Sequence, residues 1–573
     1  MRHCRLPRSA IAALGLSLVS GPDTSAQARP DLVSSRSGIV VSSSALASDI
    51  GAATLRRGGN AVDAAVATAF ALAVTYPAAG NIGGGGFLVY RSARGDAMTV
   101  DYRERAPLAS TRTMYLDSTG GISRRLTATG YLAPGVPGTV SGMSTAHKRW
   151  GRLPWRDVVM PAAMLAERGF ALSDELAREL NMEVADGMAR YPASVAAYGK
   201  PGGGRWAAGD TIVLADLART LRAVADSGAS AFYMGWIADS VASTMRQHGG
   251  LITRQDLASY AAKLRAPLTG TYRGYGLITM PPPSSGGVVM IEMLNILEHF
   301  DLAKQGASSA TALHYEIEAM RRGFLDRARY LGDPDFVDMP LERLTSKTYA
   351  ATLAADIDAH HASRSVDVGK DILAHGTASE HEQTTHFSIV DRDGNAVSNT
   401  FTLEGGFGSH VVVPGTGFIL NNEMGDFNKK PGETNLGGDI GTAANLIEPG
   451  KRMLSSMSPT IVTRGGKLFL VTGSPGGRTI INTVLEIVLN ATTYGMHVRQ
   501  AVDAPRFHHQ WLPDTAVFER GALRPQTLSG LREMGHAITM RGGQGDGHSI
   551  MIRRGVAYGA NDHRSGDSKA AVP

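Results

Sequence analysis

Residues 383–403 read QTTHFSIVDRDGNAVSNTFTL, and the pattern of residue types in them predicts a specific structure. Thr385–Val390 alternates polar and apolar side chains, as a half-buried strand does. Residues 391–395 carry the Asp, Gly and Asn that turns prefer, and Ala396–Leu403 resumes the strand pattern. The stretch therefore predicts a β-hairpin whose first strand begins directly after Thr384.

The chain downstream predicts a second hairpin followed by a helix. Thr460–Arg464 and Lys467–Val471 both have strand patterns, and Gly465-Gly466 joins them as a turn. The sequence GSPGG at residues 473–477 then leads into a helical pattern through Leu489. Strands, a glycine turn and a helix in this order indicate that the second part of the chain is a layered α/β body.

The chain upstream is mainly helical by the same criteria. The Ala-rich, apolar segment Ala61–Thr75 predicts a buried helix, and a glycine run at residues 83–86 leads into the strand-like Phe87–Tyr90. That run lacks the spacing of a phosphate-binding loop, so close backbone packing explains it better. The polar, irregular segment Leu353–Glu382 predicts an exposed loop or linker. Further helices are predicted at Ala215–Asp226, Gly287–Leu297 and Ser309–Leu331.

The composition excludes several classes of protein. With 573 residues, 43% of them hydrophobic and 19% charged, the chain is too apolar to be disordered and long enough for several layers or domains. The net charge of +5 is small and the basic residues form no stripe interleaved with aromatic side chains, so nucleic acid is not expected as a partner. Cys4 is the only cysteine, which excludes an intramolecular disulfide and a cysteine zinc cluster.

Residues 1–28 have the pattern of a signal peptide. Arg2, Arg5 and Arg8 form a positive segment, the apolar segment Ala10–Ser20 follows, and Ala26-Gln27-Ala28 supplies the small residues of a cleavage site. The apolar segment is too short to span a bilayer, and no later segment predicts a membrane span. We therefore expect cleavage after Ala28 and a periplasmic or secreted protein.

Three other patterns do not predict a metal or a serine-hydrolase site. In HEQTTH, His381 and His386 lie five residues apart rather than four, so a helix would not place them on one face. The pairs at 360–361 and 508–509 are adjacent histidines, which point apart on a strand and are expected to be solvated or to cap helices. The proline after Ser474 lacks the N–H that a nucleophile elbow needs. We expect neither a metal nor a cofactor.

Seven blocks, spread over nearly the whole chain, point to one family. They are NAVDAA at residues 60–65, GGGGF at 83–87, DYRE at 101–104, QTTHFS at 383–388, LNNEMGDF at 420–427, LSSMSPT at 454–460 and GSPGG at 473–477. Together and in this order they resemble the γ-glutamyltranspeptidases. The resemblance implies an N-terminal-nucleophile hydrolase with a four-layer αββα sandwich. It also implies one precursor that cuts itself into a heterodimer of a large subunit, residues 29–383, and a small subunit, residues 384–573.

The chemistry of such a nucleophile explains why a cut is needed. A threonine hydroxyl is a weak nucleophile until a base takes its proton, and a chain-terminal α-amine, with an ordinary pKa of about 7.7–8.0, is such a base. Thr384 acquires that amine only when the Gln383–Thr384 bond is broken, so the uncut chain should be inactive. In the family, the same hydroxyl attacks the preceding carbonyl and the resulting ester is hydrolysed.

The resemblance implies how the γ-glutamyl group of a substrate would be held. Arg103 has a planar fork suited to the α-carboxylate, and Ser455 and Ser456 would share that carboxylate. The α-ammonium would lie among three acids, Glu404, Glu423 and Asp426. Some relatives have Asn at the position of Glu404.

The remaining roles also follow from the resemblance. The backbone N–H groups of Gly476 and Gly477 would face the developing oxyanion, and Thr402 would hydrogen-bond the nucleophile's hydroxyl. The stretch Asn428–Arg452 resembles a lid loop over the pocket. Where some relatives place an aromatic residue, this chain has Leu436-Gly437, so we expect a less covered site.

The expected donors are glutathione and other γ-glutamyl compounds, and the expected acceptors are water, amino acids or peptides. One alternative is a cephalosporin or glutaryl acylase of the same superfamily branch, although its acyl chain would leave the three acids without an ammonium. A second alternative is an uncleaved, non-catalytic protein that binds amino acids. The presence of Thr384, Gly476 and Gly477 argues against it.

Overall fold

The computed structural model describes Met1, residues 32–373 and residues 383–573. The predicted signal peptide, Met1 apart, and the last nine residues of the predicted loop Leu353–Glu382 lie outside these residues. The described strands are β1 Val33–Ser35, β2 Gly38–Ser42, β3 Gly85–Arg91, β4 Ala97–Tyr102, β5 Phe170–Ala171, β6 Thr211–Ile212, β7 Lys263–Arg265, β8 Leu268–Tyr272, β9 Tyr275–Thr279, β10 Thr385–Asp391, β11 Ala396–Thr402, β12 Thr460–Arg464, β13 Lys467–Thr472, β14 Phe507–His508, β15 Ala516–Glu519, β16 Ile538–Arg541, β17 Ser549–Arg553, β18 Val556–Ala560 and β19 Lys569–Ala571.

The helices are distributed over both parts of the chain. The described α-helices are α1 Ala45–Arg56, α2 Ala61–Thr75, α3 Arg124–Ala128, α4 Thr139–Trp150, α5 Trp155–Arg168, α6 Asp174–Ala185, α7 Pro192–Tyr198, α8 Ala215–Ser227, α9 Ser230–Tyr233, α10 Trp236–His248, α11 Arg254–Ala258, α12 Gly286–Leu297, α13 Leu302–Gln305, α14 Ala310–Tyr330, α15 Leu341–Leu344, α16 Lys347–Ala355, α17 Ser365–Val368, α18 Thr479–Thr492, α19 Val498–Asp503 and α20 Pro525–Glu533. Two 3₁₀ turns cover Glu423–Asp426 and Ala443–Asn445.

Two antiparallel sheets of seven strands form the centre of the molecule. One has the order β19-β2-β10-β11-β3-β4-β7 and contains the predicted hairpin, with Thr385 opposite Phe401. The other has the order β1-β18-β17-β13-β12-β9-β8 and contains the second predicted hairpin. Both hairpins and their turns are confirmed.

Helices cover the outer face of each sheet. Helix α2 packs on β10 and β11, and α1, α4, α5 and α8 complete that layer, while α12, α14, α16 and α18 form the layer on the other sheet. The inner faces of the two sheets meet where β10 and β11 contact β13. The order of layers is therefore αββα, which confirms the predicted fold.

Strand β10 differs from the prediction in one respect: all seven of its residues are buried, so it is not half-buried. Its apolar residues Phe387 and Ile389 face the helical layer. His386 and Ser388 face the second sheet instead of solvent, where Ser388 donates a hydrogen bond to the His548 carbonyl over 2.7 Å. The polar and apolar alternation therefore marks two buried faces of different polarity.

The predicted helix Ala61–Thr75 is confirmed with its bounds, and all its residues are buried. Asn60 caps it, because its side chain accepts hydrogen bonds from the N–H groups of Val62 and Asp63 at 2.9 and 3.1 Å. The glycine run at 83–86 packs as predicted: a Cβ on Gly84 would lie 2.0 Å from the Thr402 carbonyl oxygen.

Two predictions about polar segments are wrong in part. His508 and His509 are 6% and 1% exposed rather than solvated, because Asn482 bonds His508 and Asp514 bonds His509 inside the core. Part of Leu353–Glu382 is helical, since α16 runs to Ala355 and α17 follows. None of the helices in the described residues is long and apolar enough to cross a membrane.

Candidate active site

The predicted scissile peptide lies at the entrance of β10. Thr384 is 4% exposed, whereas Gln383 is exposed, and the Gln383 N–H donates to the Glu404 carbonyl over 2.9 Å. This bond holds the segment before β10 against the end of β11. The hairpin thus places Thr384 beside Thr402, the last residue of the partner strand.

The Gln383 carbonyl oxygen accepts two hydroxyl hydrogen bonds. Thr384 Oγ1 donates to it over 2.7 Å and Thr402 Oγ1 donates over 2.8 Å. Thr402 Oγ1 in turn accepts the Glu404 N–H at 2.8 Å, which orients its proton toward Gln383. Two donors on one carbonyl withdraw electron density from its carbon, and the hydroxyl of Thr384 lies beside that carbon.

This peptide borders a cavity of about 190 Å³. The cavity brings together most of the predicted site residues, although they come from distant parts of the sequence. Those in its lining are Arg103, Thr384, Thr402, Glu404, Glu423, Asp426, Ser455, Ser456 and Gly477. Gln383 and Gly476 are adjacent in sequence to lining residues.

Arg103 and two of the predicted acids form one ion-pair cluster. Arg103 directly follows β4 and is fully buried, and its two terminal nitrogens pair with the carboxylates of Glu423 and Asp426. Glu104 is 3.7 Å from the same guanidinium. Backbone carbonyls of Met453 and Leu454 accept further hydrogen bonds from it at 3.2 Å. The guanidinium is therefore the cation that the acids share in the free site.

The cluster contains more acid than base. Burial raises the pKa of Glu104 to about 8 and raises that of Glu423 well above its usual range, although Arg103 opposes both shifts. Burial tends to lower the pKa of Arg103, but the charges of Glu423 and Asp426 more than reverse this. One Glu423 oxygen and both Glu104 oxygens have no hydrogen-bond partner among the described residues. A second cation would therefore be stabilised here.

The two predicted serines also line the cavity, directly after Leu454, whose carbonyl accepts a hydrogen bond from Arg103. Ser455 Oγ accepts the Met457 N–H at 3.1 Å, and its backbone pairs with the loop before α12. Ser456 Oγ accepts a hydrogen bond from Arg327 at 3.1 Å. Arg327 belongs to α14 and also lines the cavity, so it adds a positive charge that the sequence patterns did not indicate.

The glycine pair precedes the N-terminus of the 14-residue helix α18. Gly476 and Gly477 have φ angles of 125° and 51°, a region that favours glycine. Neither backbone N–H has a hydrogen-bond partner among the described residues. N–H groups at a helix N-terminus favour negative charge, which suits an oxyanion.

The predicted lid segment borders the cavity with Lys430 and Asp439. Asp439 pairs with Arg124 of α3, with both carboxylate oxygens 3.0–3.1 Å from one guanidinium nitrogen. Leu436, at the position where some relatives have an aromatic residue, is 39% exposed. Arg124 is a second cavity residue that sequence reasoning missed, because an exposed arginine on a short helix carries no pattern that points to a site.

Comparisons with known proteins agree with this architecture. The family model described as gamma-glutamyltranspeptidase matches residues 47–572. The glutathione hydrolase proenzyme of Escherichia coli (strain K12) is 46% identical in an alignment that covers 99% of each chain. The crystal structure of a cephalosporin acylase from Bacillus halodurans superposes with a TM-score of 0.83 at 27% identity, covering 98% of this chain and 99% of that one. The Helicobacter pylori gamma-glutamyltranspeptidase gives 0.55 at 44% identity over 56% of this chain and 91% of that one.

The αββα layers and these neighbours define the fold as that of the N-terminal-nucleophile hydrolases. Within that class, the chain belongs to the gamma-glutamyltranspeptidase family. It is therefore an enzyme of the γ-glutamyltransferase and glutathione hydrolase type.

Proposed function

We propose that the chain is a precursor that cleaves its own Gln383–Thr384 bond. The observation that best supports this proposal is that the Gln383 carbonyl accepts hydrogen bonds from both Thr384 and Thr402 beside the cavity. Thr384 Oγ1 attacks this carbonyl carbon, its proton moves to the Thr384 nitrogen, and the C–N bond breaks to leave an ester. Water hydrolyses the ester, which gives a Gln383 carboxylate and a free α-amine on Thr384. The products are residues 29–383 and 384–573, held together by the pairing of β10 with β2 and of β11 with β3.

The mature enzyme uses the same hydroxyl on a substrate. The new α-amine takes the proton of Thr384 Oγ1, which attacks the γ-carbonyl of a γ-glutamyl amide, and the amine product departs with that proton. The N–H groups of Gly476 and Gly477 receive the oxyanion. Water or the amine of an amino acid or peptide then attacks the γ-glutamyl ester and regenerates Thr384. Glutathione is the expected donor, in agreement with the name of the Escherichia coli relative.

The α-amino-acid end of the substrate is recognised by the ion-pair cluster. Its carboxylate can pair with Arg103 and the hydroxyls of Ser455 and Ser456, while its ammonium can join Glu404, Glu423 and Asp426. Because Arg103 already pairs with two of these acids, the substrate inserts one positive and one negative charge into an existing network. This exchange conserves charge balance, which a glutaryl chain without an ammonium does not.

The similarity to a cephalosporin acylase supports one competing function. The two can be separated by comparing kcat/KM for γ-glutamyl-p-nitroanilide and glutaryl-p-nitroanilide. We expect the γ-glutamyl compound to be hydrolysed faster by at least tenfold, because its ammonium meets the excess acid of the cluster. A preference for the glutaryl compound would assign the chain to the acylases.

Replacing Asp426 by asparagine should cost more on the γ-glutamyl substrate than on its glutaryl analogue. The amide keeps the shape but loses a charge-assisted contact with the ammonium, worth about 1.5–3 kcal/mol, or roughly tenfold to a hundredfold in kcat/KM. Steady-state kinetics on both anilides measures the difference. Equal losses would mean that Asp426 only supports Arg103.

Replacing Thr402 by valine should slow self-cleavage. Valine has nearly the same shape but removes the 2.8 Å hydrogen bond to the Gln383 carbonyl, and we expect maturation to be slower by about tenfold or more. The fraction of uncut chain against time after synthesis, read on a denaturing gel, measures this. Thr402→Ser restores the hydroxyl and should restore most of the rate; a valine variant that matures at the normal rate would remove Thr402 from the reaction.

The pattern of residues 1–28 supports export. We propose that they are removed after Ala28 and that the enzyme acts in the periplasm or outside the cell. The mass of the large subunit from a cell fraction that excludes cytoplasm tests this, since it should begin at Arg29.

A further inference from the structure

A second cavity, far from Thr384 in sequence, lies between α14 and α18. It has a volume of about 100 Å³. Most of its wall is apolar, and the exposed residues Ser308 and Pro505 stand at its edge. The principal apolar lining residues are Leu313, Leu489, Met496, Phe507, Phe518 and Leu523.

Two carboxyl groups line this cavity, together with the polar residues Ser308, Asn490 and Tyr494. Glu316 on α14 is 4% exposed, and it accepts a hydrogen bond from the Tyr494 hydroxyl over 3.1 Å. Glu486 on α18 is 6% exposed, and one of its oxygens accepts the Phe507 N–H at 3.0 Å. Its other oxygen is buried and has no hydrogen-bond partner among the described residues. A buried oxygen without a hydrogen-bond donor raises the free energy of the folded protein unless a ligand supplies that donor.

No described cation pairs with either carboxyl group. The positive charge of Arg506 acts on Glu486, but Arg506 pairs with Asp562 over 2.5 Å. Neither Glu316 nor Glu486 forms a salt bridge within the described residues, whereas two other buried acids, Glu318 and Glu423, pair with arginines. Two acids with an apolar surround and no counter-ion match the shape and charge of an amphiphilic cation.

We propose that this cavity binds a primary alkylammonium ion, with its –NH₃⁺ between Glu316 and Glu486 and its alkyl chain against the apolar wall. An ammonium offers three donors, which suit the orphaned Glu486 oxygen and Glu316 together. The volume limits the ligand to a short chain. The site is separate from the γ-glutamyl pocket, because none of the residues that line it lines the catalytic cavity.

The binding should become stronger as the pH rises. Burial raises the pKa of Glu316 to about 8 and raises that of Glu486 well above its usual range, so a lower pH favours the neutral form of both groups. The other ionisable groups that act on them are Tyr494, Arg506 and Glu519. An alkylammonium, which keeps its charge to about pH 10, favours the carboxylate form and should displace a proton on binding.

Titration calorimetry with n-pentylamine at pH 6 and pH 8.5 tests the site, with n-pentanol as the uncharged control. We expect saturable binding of the amine that is tighter at pH 8.5, and no binding of the alcohol. Glu486→Gln keeps an acceptor for the Phe507 N–H but removes the charge, so the dissociation constant should rise by roughly tenfold to a hundredfold. Glu316→Gln, on the other helix, should act in the same direction.

The exposed Glu342 supplies a matched control, since Glu342→Gln removes the same charge from the surface and should leave the affinity unchanged. Amine bound at the catalytic cavity would be insensitive to Glu316 and Glu486, so the variants distinguish the two locations. Absence of amine binding to the unmodified protein, or an affinity in Glu486→Gln and Glu316→Gln equal to that of the unmodified protein, would overturn the proposal.

Discussion

Replacing Thr384 by alanine should leave a single uncut chain without γ-glutamyl activity. The substitution removes the hydroxyl that lies 2.7 Å from the Gln383 carbonyl oxygen, so no group remains in place to attack that carbonyl. Without cleavage the nitrogen of residue 384 stays an amide and cannot act as a base. Activity should fall by at least about 10⁴-fold, the scale expected when a nucleophile that acts with its base is lost. A denaturing gel and an assay with a γ-glutamyl anilide measure both effects.

Thr384→Ser is the matched control, because it keeps the hydroxyl while it removes one methyl group. We expect this variant to mature and to retain part of its activity. Maturation of Thr384→Ala at the same bond would contradict the role of Thr384 as the cleaving group, whatever its later activity.

Replacing Arg103 by lysine should raise the KM for the γ-glutamyl donor strongly. Lysine keeps the charge but has a single ammonium group. That group cannot replace the guanidinium's pairs with Glu423 and Asp426 and its hydrogen bonds to the carbonyls of Met453 and Leu454. It also lacks the planar fork that binds a carboxylate through two hydrogen bonds. The loss of the bidentate pairing corresponds to about 1.5–3 kcal/mol, or roughly a tenfold to a hundredfold change in kcat/KM.

Self-cleavage should be largely spared in this variant, since Arg103 has no contact with Gln383 or Thr384 among its described hydrogen bonds. Arg125→Lys, at an exposed position next to the cavity residue Arg124, is the matched control and should leave KM unchanged. A mature Arg103→Lys enzyme with normal KM would remove Arg103 from substrate binding.

Local sequence patterns predicted the parts of the fold that depend on local interactions. The helix Ala61–Thr75 has its own cap at Asn60, and the hairpin around residues 391–395 has its own turn residues, so both were predicted with accurate bounds. The pattern of β10 was predicted, but not its burial, because the polar face of the strand meets a second sheet built from distant segments. His508 and His509 illustrate the same limit, since their buried partners include Asn482 and Asp514.

The identity of the site residues was easier to predict from the sequence than their contacts with one another. The resemblance to a known family pointed to Arg103, Glu423 and Asp426 as site residues. No local sequence pattern, however, indicates that the arginine pairs with acids some 320 residues away. No sequence pattern distinguished Arg124 and Arg327 from the other basic residues of their helices. Both reach the cavity only because the tertiary structure places those helices beside it. The hydrogen bond from Thr402 to Gln383 likewise depends on how the hairpin closes.

The N-terminal sequence of the smaller chain of the purified, unmodified protein is the sharpest test of self-cleavage between Gln383 and Thr384. Intact-mass measurement of both chains supplements it by fixing their ends. We predict two chains, of which the smaller begins at Thr384 and extends to Pro573. A single chain that spans Gln383–Thr384 and still hydrolyses a γ-glutamyl amide, or a small chain that begins at any other residue, would contradict the account.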